Sequence, residues 1–293
     1  MLLDEANADG LAMKAQVFPR PVGMLYGLEL SFHPFALHPS FRPLADLPLA
    51  QKVAAMRDPA LREQLLSEQP RDNNPVSLKT VDNFRYCYVM GDPPNYEPDP
   101  ADRMDRQAAL RGLTAAEYAY DLLLASEGRT IFLLPGANYR DGNLAAVRAM
   151  VDHPQTVLGL GDGGAHYGMI CDASFPTSYL QGWVRDARGA EKVDLARAIK
   201  ALTSEPARGV GLNDRGLLAV GYKADVNIID LEALRLHTPT IAYDLPAGGR
   251  RLRQEADGYV VTIVGGEVTY RDGAHTGALP GRLVRGEQAA PAS

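Results

Sequence analysis

The stretch TVLGLGDGGAHYG, residues 156–168, supports two readings that lead to different folds. Gly159, Gly161 and Gly164 have the G-x-G-x-x-G spacing of a dinucleotide cradle, but Asp162 stands between the second and third glycines. Such a cradle works because a helix begins directly after the glycines and points its free N–H groups at pyrophosphate. The residues that follow, AHYGMICDASFPTSY, contain Gly168, Asp172 and Pro176, and their apolar positions lack a helical period. A carboxylate inside the cradle would also repel phosphate. These features disfavour a nicotinamide or flavin site. The alternative places Asp162 at the C-terminal end of a parallel strand, where (β/α)-barrels collect their catalytic groups and glycines leave room for a ligand. An aspartate there can bind a divalent metal and take a proton from metal-bound water. It can equally close a loop by accepting hydrogen bonds from nearby amides.

Around this stretch the pattern alternates between helix and strand. Thr114 and Glu117 form a T-x-x-E capping box before a helix that carries Tyr118, Leu122 and Leu123 and closes at Gly128. TIFLLP reads as a strand, Asn143 caps the helix LAAVRAMVDH, Pro154 stops it, and TVLGLG reads as a second buried strand. In VDLARAIKALTSEPARGVGL, Asp194 lies near the cap, Leu195, Ile199 and Leu202 share one face, and the helix is expected to end before Pro206. Helix–strand alternation predicts an α/β domain with parallel strands.

Upstream, a short strand is predicted from Ala12 to Phe18, then a Pro-rich insertion at about 19–48 and a loop at about 70–112. Between them, Leu49, Val53, Met56, Leu61, Leu65 and Leu66 mark the inner faces of helices. After about residue 208 the period becomes strand-like, with Gly265–Gly266 as a hairpin turn. The segment from Leu217 to Arg271 is expected to form a sheet that packs away from Asp162. The expected divisions are therefore 1–207, 208–286 and a flexible tail, 287–293.

With 293 residues and 46% hydrophobic content, the chain can bury a substantial core. No apolar run approaches the ~20 residues of a membrane span. MLLDEANADG has acids where a secretory signal has bases, so a cytoplasmic location is expected. The net charge of −6 and scattered basic residues argue against nucleic acid; GGRRLR at 248–253 reads as a solvated edge. Cys87 and Cys171 form no C-x-x-C pair and read as buried small hydrophobes.

Taken in order, GLGDGGAH, LTSEPAR, DRGLLAVGYKADVNIID, VVTIVGGEVTYRDG and TGALPGRLVRG resemble the C-terminal half of metal-dependent amidohydrolases, most closely the D-aminoacylase (N-acyl-D-amino-acid deacylase) branch. The resemblance runs from about Asn7 to Gly286. It implies late strands and helices of a partial TIM-like (β/α) barrel, followed by a small β-sandwich segment. It also implies hydrolysis of linear amide (C–N) bonds, with N-acyl-D-amino acids as substrates and zinc as the metal. Asp162 then matches the aspartate that touches the metal centre and shuttles the proton from water to the leaving amine. His166 is a candidate to orient Asp162 or touch substrate, and Arg20 to bind a substrate carboxylate.

The chain departs from the family at several points. It has no H-x-H, and His33 and His38, spaced H-x4-H with a proline after each, do not suit a shared ligand face. His153, His237 and His275 stand alone, and Phe18 and Arg20 lie where the family tends to carry a tyrosine. The remaining ligands are expected from an N-terminal half or another copy in a homo-oligomer, so the isolated chain is expected to be inactive. A non-catalytic remnant or interaction module that keeps the fold is the alternative.

Overall fold

The computed structural model describes residues 2–159, 161–189 and 192–291. Helix α1 (Leu2–Ala8) leads into β1 (Ala15–Val17) and β2 (Val22–Tyr26), and a Pro-rich stretch then reaches α2 (Leu49–Met56) and α3 (Pro59–Ser67). Next come α4 (Pro75–Asp82), β3 (Tyr88–Val89), α5 (Met104–Leu110), α6 (Ala115–Leu124), β4 (Phe132–Ala137), α7 (Ala145–Val151) and β5 (Thr156–Leu158). After the loop that carries Asp162 follow α8 (Phe175–Tyr179), a π-helical turn at Leu180–Asp186, α9 (Leu195–Leu202) and α10 (Ser204–Gly209). The C-terminal part is built of strands, with a 3-10 turn at Pro246–Gly248: β6 (Val226–Ile229), β7 (Arg235–Leu236), β8 (Thr240–Leu245), β9 (Gly249–Arg253), β10 (Ala256–Asp257), β11 (Tyr259–Val264), β12 (Glu267–Arg271) and β13 (Ala274–His275).

The protein is a mixed α/β structure with several sheets. Among the strands of the described residues, only β1 and β5 pair in parallel, Ala15 to Val17 lying opposite Thr156 to Leu158, and Leu212 and Gln288 add an isolated parallel bridge. The two strands read as parallel neighbours, β4 and β5, lie in different sheets: β4 runs antiparallel between β2 and β3. The sequence did not signal this because β4 recruits its partners from segments about 40 and 110 residues upstream. In the C-terminal part the order is β13-β12-β11-β6, all antiparallel, with β8 pairing β9 and β7 pairing β10. Gly265 and Gly266, both at positive φ, make the hairpin turn between β11 and β12.

Local signals were read correctly where side chains cap helices. Thr114 and Glu117 form the capping box of α6, and Asp194 accepts the Arg197 N–H at 3.0 Å. At α7 the N-cap is Leu144 rather than the expected Asn143, which sits one residue earlier and accepts from Ala145 N–H at 2.9 Å. The region 70–112, expected to be a loop, instead contains α4, β3 and α5. Asn74 caps α4 by accepting the Val76 N–H, with Pro75 in the first turn, an Asn-Pro start signal that the turn-rich composition hid. Helix α9 also differs from expectation. Its face buries Ala198, and Leu202 packs partly buried beside Leu158, Tyr179 and Val184, whereas Leu195 and Ile199 are 45% and 39% exposed. The helix ends before Pro206 as expected, at Leu202, and Pro206 itself sits near the start of the separate short α10, where the missing N–H costs little.

The Pro-rich insertion is part of the core. Phe35 and Phe41 from it pack with Tyr26, Val53, Met56, Leu65, Tyr120, Leu123 and Phe132. The Glu68 carboxylate fastens it by accepting from Ser40 N–H and Oγ–H at 3.0 and 2.9 Å. The expected tail is also held: Gln288 N–H donates to Gly211 O and Asn213 N–H to Gln288 O, at 2.8 and 3.1 Å. Residues 292 and 293 lie outside the described residues.

His33 and His38 are buried in this insertion. The His33 ring packs edge-on against Phe41 with centroids 4.3 Å apart, and its Nδ1 accepts the Phe35 N–H at 3.3 Å. Burial, then the charges of Lys52 and His38, pull the His33 pKa down to about 3, and burial also lowers that of His38. Both rings are neutral in the fold, so the unfolded chain binds protons that the folded chain refuses. Their contribution is fully present above the ordinary histidine pKa of about 6.5 and is lost as pH falls below it, for His33 by ~1.4 kcal/mol per pH unit. For His33 the loss continues to about pH 3. Urea melts at pH 7.5 and 5 should therefore differ by ~2 kcal/mol from His33 alone, with a flatter profile in His33→Gln. Equal midpoints at both pH values would contradict this.

Candidate active site

The parallel pairing of β1 and β5 brings their C-terminal ends out together. Gly159 N–H donates to Val17 O at 3.0 Å, so Phe18 to Arg20 and residues 161–163 leave the sheet side by side. The glycines serve close packing. A Cβ on Gly161 would lie 3.2 Å from the Phe18 ring and 3.3 Å from Asp172 Cβ, and one on Gly163 would lie 3.2 Å from Ala173 Cβ. No helix starts behind them, since residues 163–170 run through turns and regular helix resumes only at Asp172. Gly164 has open space around it. A dinucleotide cradle is thus absent from this stretch as described.

Asp162 presents its carboxylate to solvent, 67% exposed, with His166 Nε2 4.0 Å from Oδ2. That distance is too long for a hydrogen bond but short enough for one ring rotation to make one. Ala165 N–H donates to Asp162 O at 2.9 Å, and His166 takes the left-handed conformation, φ 54°, while its carbonyl accepts from Met169 and Ile170 N–H. The loop is then pinned across β2: Leu25 N–H donates to Met169 O at 2.6 Å and Ser31 N–H to Gly168 O at 2.9 Å.

The loop is also pinned by the C-terminal part. Leu252 N–H of β9 donates to Tyr167 O at 2.8 Å, and the Leu252 side chain packs with Leu25, Leu30, Met90, Ile131 and Leu133. The segment Leu217 to Arg271, expected to pack away from Asp162, thus meets the same loop at Tyr167, five residues further on. In GGRRLR the arginines face out, Arg251 pairing with Asp244 at 2.7 Å and Arg253 with Glu255, while Leu252 points in. A single inward leucine between charges gave no sign of its destination.

Arg20, expected to take a substrate carboxylate, is only 4% exposed and directs its guanidinium at protein acceptors. It donates to Cys171 O at 2.8 Å and Ser174 Oγ at 3.1 Å, and it stacks 4.0 Å from the Tyr96 ring centroid. Asp172 lies 3.6 Å from it. Its outer side lines a cavity of about 700 Å3 with Tyr96, Arg148 and Trp183, whose wall does not include Asp162. Burial pushes the Cys171 thiol up to about 11, so it is no thiolate nucleophile near neutral pH.

The structure thus brings Asp162 and His166 together, links Arg20 to their loop, and leaves His33 and His38 in a separate core. Asp172 escaped the sequence reading, where it counted only as a residue that interrupts a helix. Gln254, which accepts from Ser174 Oγ–H at 2.5 Å and donates to His237 O at 2.8 Å, left no local signal. Among the described residues, no three His, Cys, Asp or Glu side chains are grouped to hold a metal ion. Asp162 and His166 are two donors where a catalytic zinc takes about three from protein, so the described residues do not fit a complete metal site.

Three solved D-aminoacylase structures align with the chain, each with a TM-score of 0.36. A D-aminoacylase variant in complex with copper chloride is 19% identical over 60% of this chain and 33% of its own. A D-aminoacylase described as defining a novel subset of amidohydrolases is 17% identical over 66% of this chain and 36% of its own. One studied for the functional role of its binuclear metal centre is 18% identical, with the same coverage. The chain therefore spans about a third of the length of these structures. No curated protein sequence matches. The model of the amidohydrolase family matches residues 5–270, nearly the whole chain including the Asp162 loop, and the chain belongs to that family.

Proposed function

We propose that this chain supplies the catalytic aspartate of a metal-dependent hydrolase of linear amide bonds, with N-acyl-D-amino acids as the substrate class. In this reading residues 1–207 are late strands and helices of a TIM-like barrel and 208–286 part of a β-sandwich. The observation that carries it is the placement of Asp162: an exposed carboxylate at the C-terminal end of the parallel β1/β5 pair, on a loop pinned at both sides. A carboxylate so placed can take a proton from water as its oxygen attacks the amide carbonyl. It returns that proton to nitrogen as the C–N bond breaks. His166 is placed to orient the carboxylate, and Arg20 to support the loop rather than to meet substrate. The metal donors beyond Asp162 come from outside the described residues in this reading, through an N-terminal portion or a second copy.

The test is hydrolysis of N-acetyl-D-amino acids by the complete enzyme and by its Asp162→Asn variant, with the L-enantiomers as the control. Loss of D-substrate turnover on substitution supports the proposal, whereas unchanged turnover overturns it. The absence of a three-donor group among the described residues and the exposed Leu195, Ile199, Leu218 and Val220 favour a second reading, an interaction module without catalysis.

A further inference from the structure

Behind Asp162 lies a line of buried polar side chains. Asp172 is 7% exposed, and its two oxygens serve two partners. Oδ2 accepts the Asp162 N–H at 3.2 Å, and Oδ1 lies 3.6 Å from Arg20 Nη2. Neither is spent on the helix that Asp172 opens: the cap of that helical turn is Cys171 and that of α8 is Ser174, neither with a side-chain cap bond. A carboxylate taken out of water and reaching ten residues back is built to hold what it reaches.

We propose that Asp172 is the positioning residue of the Asp162 loop, fixing the peptide from which the Asp162 side chain projects. The proposal rests on the reading of Asp162 as the proton-handling carboxylate. Three features make the hold rigid. Gly161 has no side chain, so the Asp172 Cβ can come up beneath the loop; a Cβ there would stand 3.3 Å away. Arg20 gives Asp172 a counter-charge that is itself immobilised by Cys171 O, Ser174 and the Tyr96 ring. Gln254, from β10's flank, accepts from both Ser174 Oγ–H and Tyr96 O–H, at 2.5 and 3.2 Å, and so locks the groups around Arg20 from the C-terminal side. Asp162 itself is exposed and bonded to little else, so its direction follows its backbone. Catalytic groups must be held within about 0.5 Å of the productive geometry by partners that never touch substrate.

The contact with Arg20 is longer than a hydrogen bond, whereas that with Asp162 is a hydrogen bond. Asp172→Asn should therefore keep an acceptor for the Asp162 N–H while losing the attraction to Arg20, and Asp172→Ala should lose both. Amide hydrogen exchange read residue by residue on the 293-residue chain is the first measurement. Exchange at Asp162 is expected to quicken about tenfold in Asp172→Ala and to stay near wild type in Asp172→Asn, with the amides of α6 unchanged in both. In the complete enzyme, kcat should fall about 10- to 100-fold in Asp172→Ala with KM unchanged, and Asp172→Asn should restore most of it. Should Asp172→Ala not fold, Asp172→Ser, too short to reach the Asp162 amide, replaces it. Unchanged exchange at Asp162 in the folded variant, or a raised KM with unchanged kcat, overturns the proposal. If Asp162→Asn keeps full turnover, the reading of Asp162 fails instead, while the exchange data still decide whether Asp172 holds the loop.

Discussion

Asp162→Asn is expected to lower kcat of the complete enzyme by about 10²- to 10⁴-fold and to leave KM and the fold nearly unchanged. Asparagine copies the shape of the carboxylate but cannot carry a proton from water to the departing amine. The fold should tolerate the exchange because the side chain is mostly exposed and the neighbouring His166 ring is 4.0 Å away, beyond hydrogen-bond distance. The backbone bonds of residue 162, its N–H to Asp172 and its carbonyl from Ala165, do not involve the substituted group. Steady-state kinetics with circular dichroism checks both halves of the expectation. Turnover within twofold of wild type would remove Asp162 from the chemistry, and a collapsed circular dichroism spectrum would make it a structural residue instead.

The second large effect concerns the metal. Dialysed against zinc and then freed of excess, the 293-residue chain is expected to keep far less than one zinc per chain and to show no hydrolysis of N-acyl-D-amino acids. Zinc affinity comes from several deprotonated donors held together, and one exposed carboxylate with a neighbouring imidazole does not provide them. His33 and His38 cannot be recruited cheaply. Both are buried in an apolar cluster, and His33 Nδ1 already accepts a backbone N–H. Elemental analysis and an amide hydrolysis assay with added zinc, repeated after mixing with an N-terminal portion, measure the effect. About one tightly bound zinc in the chain alone, with turnover, would show that its own residues complete the site; His33, His38 and His166 would then be the first to substitute.

Much of this molecule can be read locally, and much of its site cannot. The capping box at Thr114, the Asp194 cap and the Gly265–Gly266 turn are each settled by a few adjacent residues, and all three form as expected. The short apolar strand before the glycines around Asp162 was legible for the same reason and forms as β5. The pairing of β4 with β2, the use of a Pro-rich insertion as core, and the support of Asp162 by Asp172, Arg20 and Gln254 all join segments distant in sequence. Period and composition carry no record of such partners. A glycine such as Gly161 shows that something comes close, and only the fold shows that it is Asp172.

The reach of β9 into the Asp162 loop bears on how such chains can diverge. A recombination breakpoint near residue 208 looks harmless in sequence, because the pattern changes there from helical to strand-like. It would nevertheless separate Leu252 from the Tyr167 carbonyl and Gln254 from Ser174 and Tyr96. A transplanted C-terminal part would fit only if it brought an inward apolar side chain and an amide at the same two places. The residues around 167 and 174 should accordingly vary in concert with those around 252 and 254 among relatives, so that the two parts are inherited as a pair rather than shuffled.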